Sequence, residues 1–414
     1  MTSEERRAFG ARVARLRSQR GLTQAELARR ISRTASWMSQ VERGVQPVVR
    51  LDVLRLLADG LGVSVNALQP GALEETPAPP PTREEPNDLD ATRLLISGHP
   101  ALDALFGAGP DVRDADLAAF EHSVDTAWDL AHAARFTELN TVLAPLLPRL
   151  EAAARTAARP EAQAALHALL GRLYQAVSAA FARQGESDAA WVAADRAIRS
   201  AEQSEQPYAV GAAVFRLTQA FMRAQRLDQA EHAATSAVGA LHVHIERERT
   251  TPPEAWSVLG ALHLVLALVH ARAGRRTEAR AEITKARETA GRLGENRNDF
   301  NLEFGPTNVE VWAIAVAIDL GDAGEALDIG QGLDTSGLST ERRSRLLIDL
   351  ARAHTQRRQV GEALACLLSA EELAAESVRA SAAARDCVRE LLLVSGRTAP
   401  SELLELARRS DSAP

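Results

Sequence analysis

Beyond residue 93, apolar residues recur three and four positions apart almost to the end of the chain, the spacing of one face of an α-helix. Neither the alternation of a half-buried strand nor an Asn-Gly hairpin turn interrupts this pattern. Near the N-terminus the stripes are shorter: Phe9, Val13 and Leu16, then Leu27, Ala28 and Ile31, then Met38 and Val41, then Leu51, Leu54, Leu57, Leu61 and Leu68. Five short helices around one small core are expected there, and longer helices behind them. The chain is predicted to be all-α.

The caps of the first segment can be read from side-chain chemistry. Thr23 is followed three residues later by Glu26, a capping box that fixes the start of the second helix and leaves Gln24 in its first turn. Thr34 can open a third helix, which ends at Gly44, where a left-handed cap costs little. The outer face of that helix carries Ala35, Ser36, Ser39, Gln40 and Arg43.

On these features the segment LTQAELARRISRTASWMSQVERG, residues 22–44, closely resembles the helix-turn-helix of lambda-repressor-like, or XRE-type, regulators. The resemblance implies a five-helix lambda-repressor-like DNA-binding domain over residues 1–69, with its third helix in the major groove of double-stranded DNA. Carried over by position, Ala35, Ser36, Trp37, Ser39 and Gln40 would meet base edges, and a Gln can pair bidentately with adenine. Gln24 and Arg43 would hold phosphates, which set register without reading sequence. Arg17 and Glu42 match positions that in the family form a salt bridge between the first and third helices. Three departures stand out: Arg33 at a turn position that is usually apolar, Ser32 for the usual turn Gly, and Val49-Arg50 where a Pro-Ser cap commonly opens the fourth helix. Trp37 either touches a thymine methyl or sugar, or packs along the neighbouring helix.

In the long remainder a loop followed by a helix recurs at QGESDAA, QRLDQA, GRRTEA, GDAGEA and RQVGEA, ending on Ala190, Ala230, Ala279, Ala326 and Ala363. Seven residues later, on the same helical face, stand Ala197, Ala237, Ala286, Leu333 and Ala370. Small residues at both positions let a neighbouring helix approach closely. The preceding helices carry Leu169, Gly171 and Tyr174, then Leu217, Ala220 and Phe221, then Trp256, Leu259, Gly260 and His263. This resembles the tetratricopeptide repeat. Spacings of 40, 49, 47 and 37 residues exceed that family's period of about 34, so an α-solenoid of degenerate tetratricopeptide-like repeats is expected over 94–414. An earlier pair is read over 115–155, and Arg379 to Val394 as a terminal cap.

Residues 70–93, PGALEETPAPPPTREEPNDLDATR, join prolines to mutually repelling acids and read as a linker between the two regions. Charge divides in the same way. Residues 1–69 hold 12 Arg against 6 acids, a net of +6 within a chain of net −7, which leaves −13 for the rest. A basic head on an acidic body suits a nucleic-acid binder with a separate regulatory domain.

One stretch breaks the repeat pattern: GENRNDFNLEFGPTNVEVW, residues 294–312. Its FGPTNV resembles a stretch in actinobacterial XRE-type regulators that carry such repeats. Asn and Arg offer paired donors and acceptors to a peptide backbone or carboxylate, and aromatics supply apolar walls, so Arg297, Asn301, Phe304, Asn308 and Trp312 are candidate effector-binding residues. The competing account is a structural inter-repeat loop with an Asn capping the next helix.

Other classes find little support. No P-loop, GxSxG, HExxH or three-glycine nucleotide fingerprint occurs, so no enzyme activity, metal or cofactor is expected. His242 and His244 point to different sides of a helix, and Cys366 and Cys387 read as reduced, buried thiols. The charged start shows no secretory or anchoring signal, and the uncharged run Ala255 to Ala271 reads as a buried helix, so a cytoplasmic protein away from the membrane is expected. The reading is a transcription regulator that binds an operator as a homodimer and senses a peptide or small-molecule effector. The alternative is an interaction protein whose repeats bind a regulatory partner such as a sigma or anti-sigma factor, with DNA contact secondary.

Overall fold

The computed structural model describes residues 3–31, 33–46, 48, 51–61, 63, 68, 89–98 and 114–412. Among them no strand forms; the sole extended pairing is a bridge between Arg297 and Phe304. The chain divides into two compact units, Met1–Glu84 and Glu85–Ala413.

The first unit contains α1 (Ser3–Gln19), α2 (Gln24–Arg30), α3 (Ala35–Glu42) and α4 (Leu51–Leu61). Phe9, Val13, Leu16, Leu27, Ala28, Ile31, Met38, Val41, Leu57, Leu61 and Leu68 form its core. Each fully buried large aliphatic among them contributes about 1.5–3 kcal/mol. The side chains of Leu51 and Leu54, the turn residue Ser32, Val49-Arg50 and a fifth helix near Leu68 lie outside the described residues. At Gly10 the backbone of α1 presses on the end of α3: a Cβ there would collide with the carbonyl oxygens of Val41 and Glu42.

The second unit opens with α5 (Asp90–Ser97), which packs on the helices Phe136–Thr156 and Ser187–Gln203. The linker read over 70–93 therefore extends too far, since its last residues begin a helix. Paired helices follow: α6 (Asp114–His132) with α7 (Phe136–Thr156), α8 (Pro160–Gln184) with α9 (Ser187–Gln203), α10 (Pro207–Arg223) with α11 (Leu227–Arg247). Then come α12 (Pro253–Arg272) with α13 (Arg276–Leu293), α14 (Pro306–Asp319) with α15 (Ala323–Gly330), and α16 (Thr340–Gln356) with α17 (Val360–Leu373). Short α18 (Ala375–Ala380), α19 (Ala382–Ser395) and α20 (Ser401–Arg409) end the array.

This is the α-solenoid of paired helices that the alanine columns predict. Ala190, Ala230, Ala279, Ala326 and Ala363 are all fully buried near the starts of the second helices, as are Ala197, Ala286 and Ala370 two turns on. The column fails at two places: Ala237 is only half-buried, and Leu333 falls beyond the end of the short α15. Helix α12 is, among the described residues, the helix long and apolar enough to cross a membrane, but 89% of its apolar window is buried inside the array. Cys387 is buried against the Thr355 hydroxyl, and burial pushes its thiol up to about 11; Cys366 is half-buried.

The last pairs fold back on the first. Glu376 of α18 accepts the backbone N–H groups of Phe136 and Thr137, capping α7 from 240 residues away. Arg183 of α8 meets Glu341 of α16 at 2.6 Å, and α16 also touches α6. The first helices of several pairs, α8, α10, α12 and α16, thus face one another across an interior rather than lining an open groove.

Candidate nucleic-acid interface

The second helix starts where the capping box puts it. The Glu26 N–H donates to Thr23 Oγ1 at 3.2 Å, while the Thr23 N–H and hydroxyl both donate to Glu26 Oε2 at 2.8 Å. Those two donors hold the Glu26 carboxyl below its usual range. For α3, Thr34 Oγ1 accepts the Trp37 N–H at 3.2 Å, and Gly44, at φ +72°, ends the helix as a left-handed cap.

One carboxylate locks the three helices together. Arg17 of α1 grips Glu42 of α3 through Nε at 2.6 Å and Nη2 at 3.1 Å, and donates Nη1 to the Leu22 carbonyl at 2.6 Å. Gln24 of α2 donates Nε2 to Glu42 Oε2 at 2.7 Å, the oxygen that Arg17 Nη2 also reaches. The hydrogen bond to Glu42 raises the Arg17 pKa further, so its charge is fixed at any working pH.

With its inner face held by Met38 and Val41, α3 turns Ala35 and Ser36 fully outward and leaves Ser39 and Gln40 partly exposed. Arg43 is exposed at its end, its Nε donating back to the Ser39 carbonyl at 3.2 Å. Ala35, Ser36, Ser39, Gln40 and Arg43 therefore share the outward face of α3. Two of the residues assigned to DNA contact also have partners within the unit. Gln24 is partly committed to Glu42 and keeps one amide hydrogen for another contact. Trp37 is half-buried against the core, with the Arg33 guanidinium 5.6 Å from its ring centre. The tryptophan packs along the helix and braces a cation at the entrance to α3. Arg33, read from sequence only as an odd turn residue, joins exposed Arg29 and Arg30 near the reading face; the aromatic four residues after it was the signal.

The residues proposed for effector binding separate into two groups. Phe304 and Trp312 belong to the core: Phe304 is fully buried with its ring on the bare backbone of Gly260, and Trp312 packs 6.0 Å from Phe215. Asn301 turns its carbonyl to Arg216 at 2.7 Å. Phe304 and Trp312 do not present side chains to a ligand, because they fill the gap between α12 and α14, while Asn301 stays partly exposed. Arg297 and Asn308, by contrast, line a cavity of about 340 Å³ with His132, Asn298, Glu303 and Ser339. There Asn308 Oδ1 and His132 Nε2 are buried without hydrogen-bond partners, and burial keeps the His132 imidazole below its usual range. Arg297 is held by Asp299 at 2.8 Å. The Asn that caps the next helix is Asn296, whose Oδ1 accepts the Thr307 N–H at 3.1 Å, and not Asn308. Phe300, Asn301 and Glu303 all take positive φ, a concentration of backbone strain in this loop.

The sequence profile of the helix-turn-helix domain family matches residues 8–69, and the chain accordingly carries a helix-turn-helix domain. No curated protein matches the chain. Among solved structures, that of Bacillus thuringiensis PlcR in complex with the peptide PapR7 and DNA aligns over 85% of this chain and 98% of its own, at 14% identity and a TM-score of 0.37.

Proposed function

We propose that this protein is a sequence-specific transcription regulator of the XRE type, not an enzyme, that binds a double-stranded operator as a homodimer and responds to a small effector through its helical array. The observation that supports the DNA-binding part best is α3 itself. Its outward face offers Ser36, Ser39 and Gln40 to base edges, flanked by Arg33 and Arg43, on a helix whose angle is fixed by the Arg17–Glu42–Gln24 lock. A single small reading head contacts one half-site, so two heads are needed for tight binding.

The effector reading is supported by the cavity beside the loop, where a buried acceptor on Asn308 and a buried nitrogen on His132 await partners. A buried polar atom without a partner costs about 1–3 kcal/mol, which a ligand donor would recover. Selection of bound genomic fragments by the full chain tests the first part: inverted half-sites about one helical turn apart are expected. Enrichment of no common sequence would overturn it. Sedimentation of the full chain at micromolar concentration tests the dimer.

A further inference from the structure

The interior between the facing helices holds a concentration of arginine that the fold does not neutralise. Arg183 of α8, Arg216 and Arg223 of α10, Arg272 of α12, and Arg342 and Arg345 of α16 line one cavity, with Arg216 and Arg342 buried and Arg223 exposed. Carboxylates answer part of this charge. Arg183 lies against Glu341, Arg342 against Glu303 at 2.9 Å, and Arg272 shares Asp319 with Arg352, which also takes Asp349. Glu341 and His132 also face Glu303, and burial holds the His132 imidazole below its usual range. Arg216, Arg223 and Arg345 have no carboxylate at ion-pair distance among the described residues, although Glu303, Glu341 and Asp349 act on them from further off, so arginines outnumber the carboxylates by three.

The donors are unsatisfied as well as the charge. Arg216 is only 3% exposed; it reaches the Asn301 carbonyl and, at 3.4 Å, the Gln219 amide oxygen, while its Nε has no partner. Nη1 of Arg183 is likewise buried without an acceptor. Burial, reinforced by Arg183 and Arg342, depresses the Arg216 pKa to about 9. Like charges held together around the buried Arg216 oppose folding unless something negative joins them. The rings of Trp128 and Phe215, each 5.2 Å from the Arg216 guanidinium, and that of Trp312, 5.2 Å from Arg345, face these cations without supplying a negative charge.

We propose that this cluster is an anion site that receives one phosphate or carboxylate group, either as a free ion or as the head of a small ligand. The chemistry fits an oxyanion. Guanidinium groups arriving from separate helices offer planar pairs of N–H donors, which match carboxylate and phosphate oxygens. The cavity is about 30 Å³, room for roughly two water-sized groups, so it takes a head group and excludes a peptide backbone. Because the arginines come from α8, α10, α12 and α16, the anion ties together helices that are far apart in sequence. It thereby sets how tightly the end of the array closes on its beginning. Arg216 and Arg342 also hold the carbonyls of Asn301 and Leu302, so occupancy bears on the strained loop next to them.

The site is independent of DNA binding, and its test is read without DNA. Thermal unfolding and calorimetric titration of the full chain with inorganic phosphate, and separately with succinate, are compared with sodium chloride at matched ionic strength. A saturable rise in melting temperature with either oxyanion, beyond that with chloride, is expected, and the anion that gives it identifies the head group. Arg216→Met should raise the melting temperature of the anion-free protein while removing the response, a combination that no structural strut would give. Arg223→Gln, at an exposed position with no partner to lose, should weaken anion binding at least about tenfold without changing the helical circular dichroism. The proposal is overturned if neither oxyanion stabilises the protein more than chloride, or if Arg223→Gln binds the effective anion as the parent does.

Discussion

Gln24 and Arg17 meet on the same carboxylate. Glu42 Oε2 accepts Gln24 Nε2 at 2.7 Å, and the Arg17 guanidinium spans both Glu42 oxygens. Three helices are therefore positioned by one buried side chain, and the angle between α2 and α3, on which a reading helix depends, is a property of that contact. Glu42→Ala is expected to destabilise the first unit by about 2–3 kcal/mol, because it strands a largely buried guanidinium. Gln24→Ala, which removes a single hydrogen bond, should cost about 1 kcal/mol. Hydrogen exchange of the α2 and α3 amides in the full chain measures both; equal effects would show that Glu42 is not the hub.

The outward face of α3 yields a prediction about sequence reading. Gln40→Ala should weaken binding to the selected operator by about 1–3 kcal/mol and relax preference at one base position. Arg43→Ala should weaken binding to all DNA alike and reduce the slope of affinity against salt. Competition binding with operator and scrambled duplexes separates them, and an unchanged ratio for Gln40→Ala would remove it from the reading set.

The approach of Phe304 to Gly260 can be tested by double mutation. A Cβ at residue 260 would overlap the Phe304 ring, so Gly260→Ala should cost about 1–3 kcal/mol by overpacking. Phe304→Ala should cost about 3–5 kcal/mol through the cavity left behind. In the double variant the new methyl enters the vacated space, and the combined loss should fall short of the sum. Additive losses in chemical denaturation would mean that the two residues do not meet.

Acid should weaken the array. Burial alone would raise the Glu341 pKa, but Arg183, with Arg342 and Arg345 behind it, holds the carboxyl far below the usual range; Glu303 is likewise lowered, against burial, by Arg342. A folded-state pKa below the unfolded value means stability that is present above about pH 4.3 and lost as pH falls from there toward the folded value. The melting temperature of the full chain should therefore drop progressively below about pH 4.5. Glu341→Gln should melt lower near neutrality yet show a flatter acid limb. Parallel curves for the two proteins would exclude Glu341 as a source of the acid sensitivity.

The effector cavity gives the last prediction. Because Asn296 caps α14, Asn308→Ala should leave the helix and basal DNA binding intact while abolishing any shift in operator affinity produced by cell extract. Such a shift is typically about 5- to 150-fold in allosteric systems. A variant that loses its helical circular dichroism instead would make Asn308 a packing residue.

The sequence by itself determined whatever depends on local spacing and on chemistry between near neighbours. The Thr23–Glu26 box, the Thr34 cap, the left-handed Gly44 and the stripe from Phe9 to Val41 are all contacts within a few turns of helix, and each is where the residues put it. The alanine columns were legible for the same reason, since close helix pairing needs a small residue at a fixed step. Only the tertiary structure decided which polar and aromatic side chains face a ligand. Phe304 and Trp312 look like binding walls in sequence but fill the gap between α12 and α14, whereas Asn308, four residues after Phe304, is left with a bare acceptor in a cavity. The arginines of the interior were invisible as a group, because Arg183 and Arg342 are 159 positions apart and periodicity says nothing about which helices of an array meet when its end folds back on its beginning.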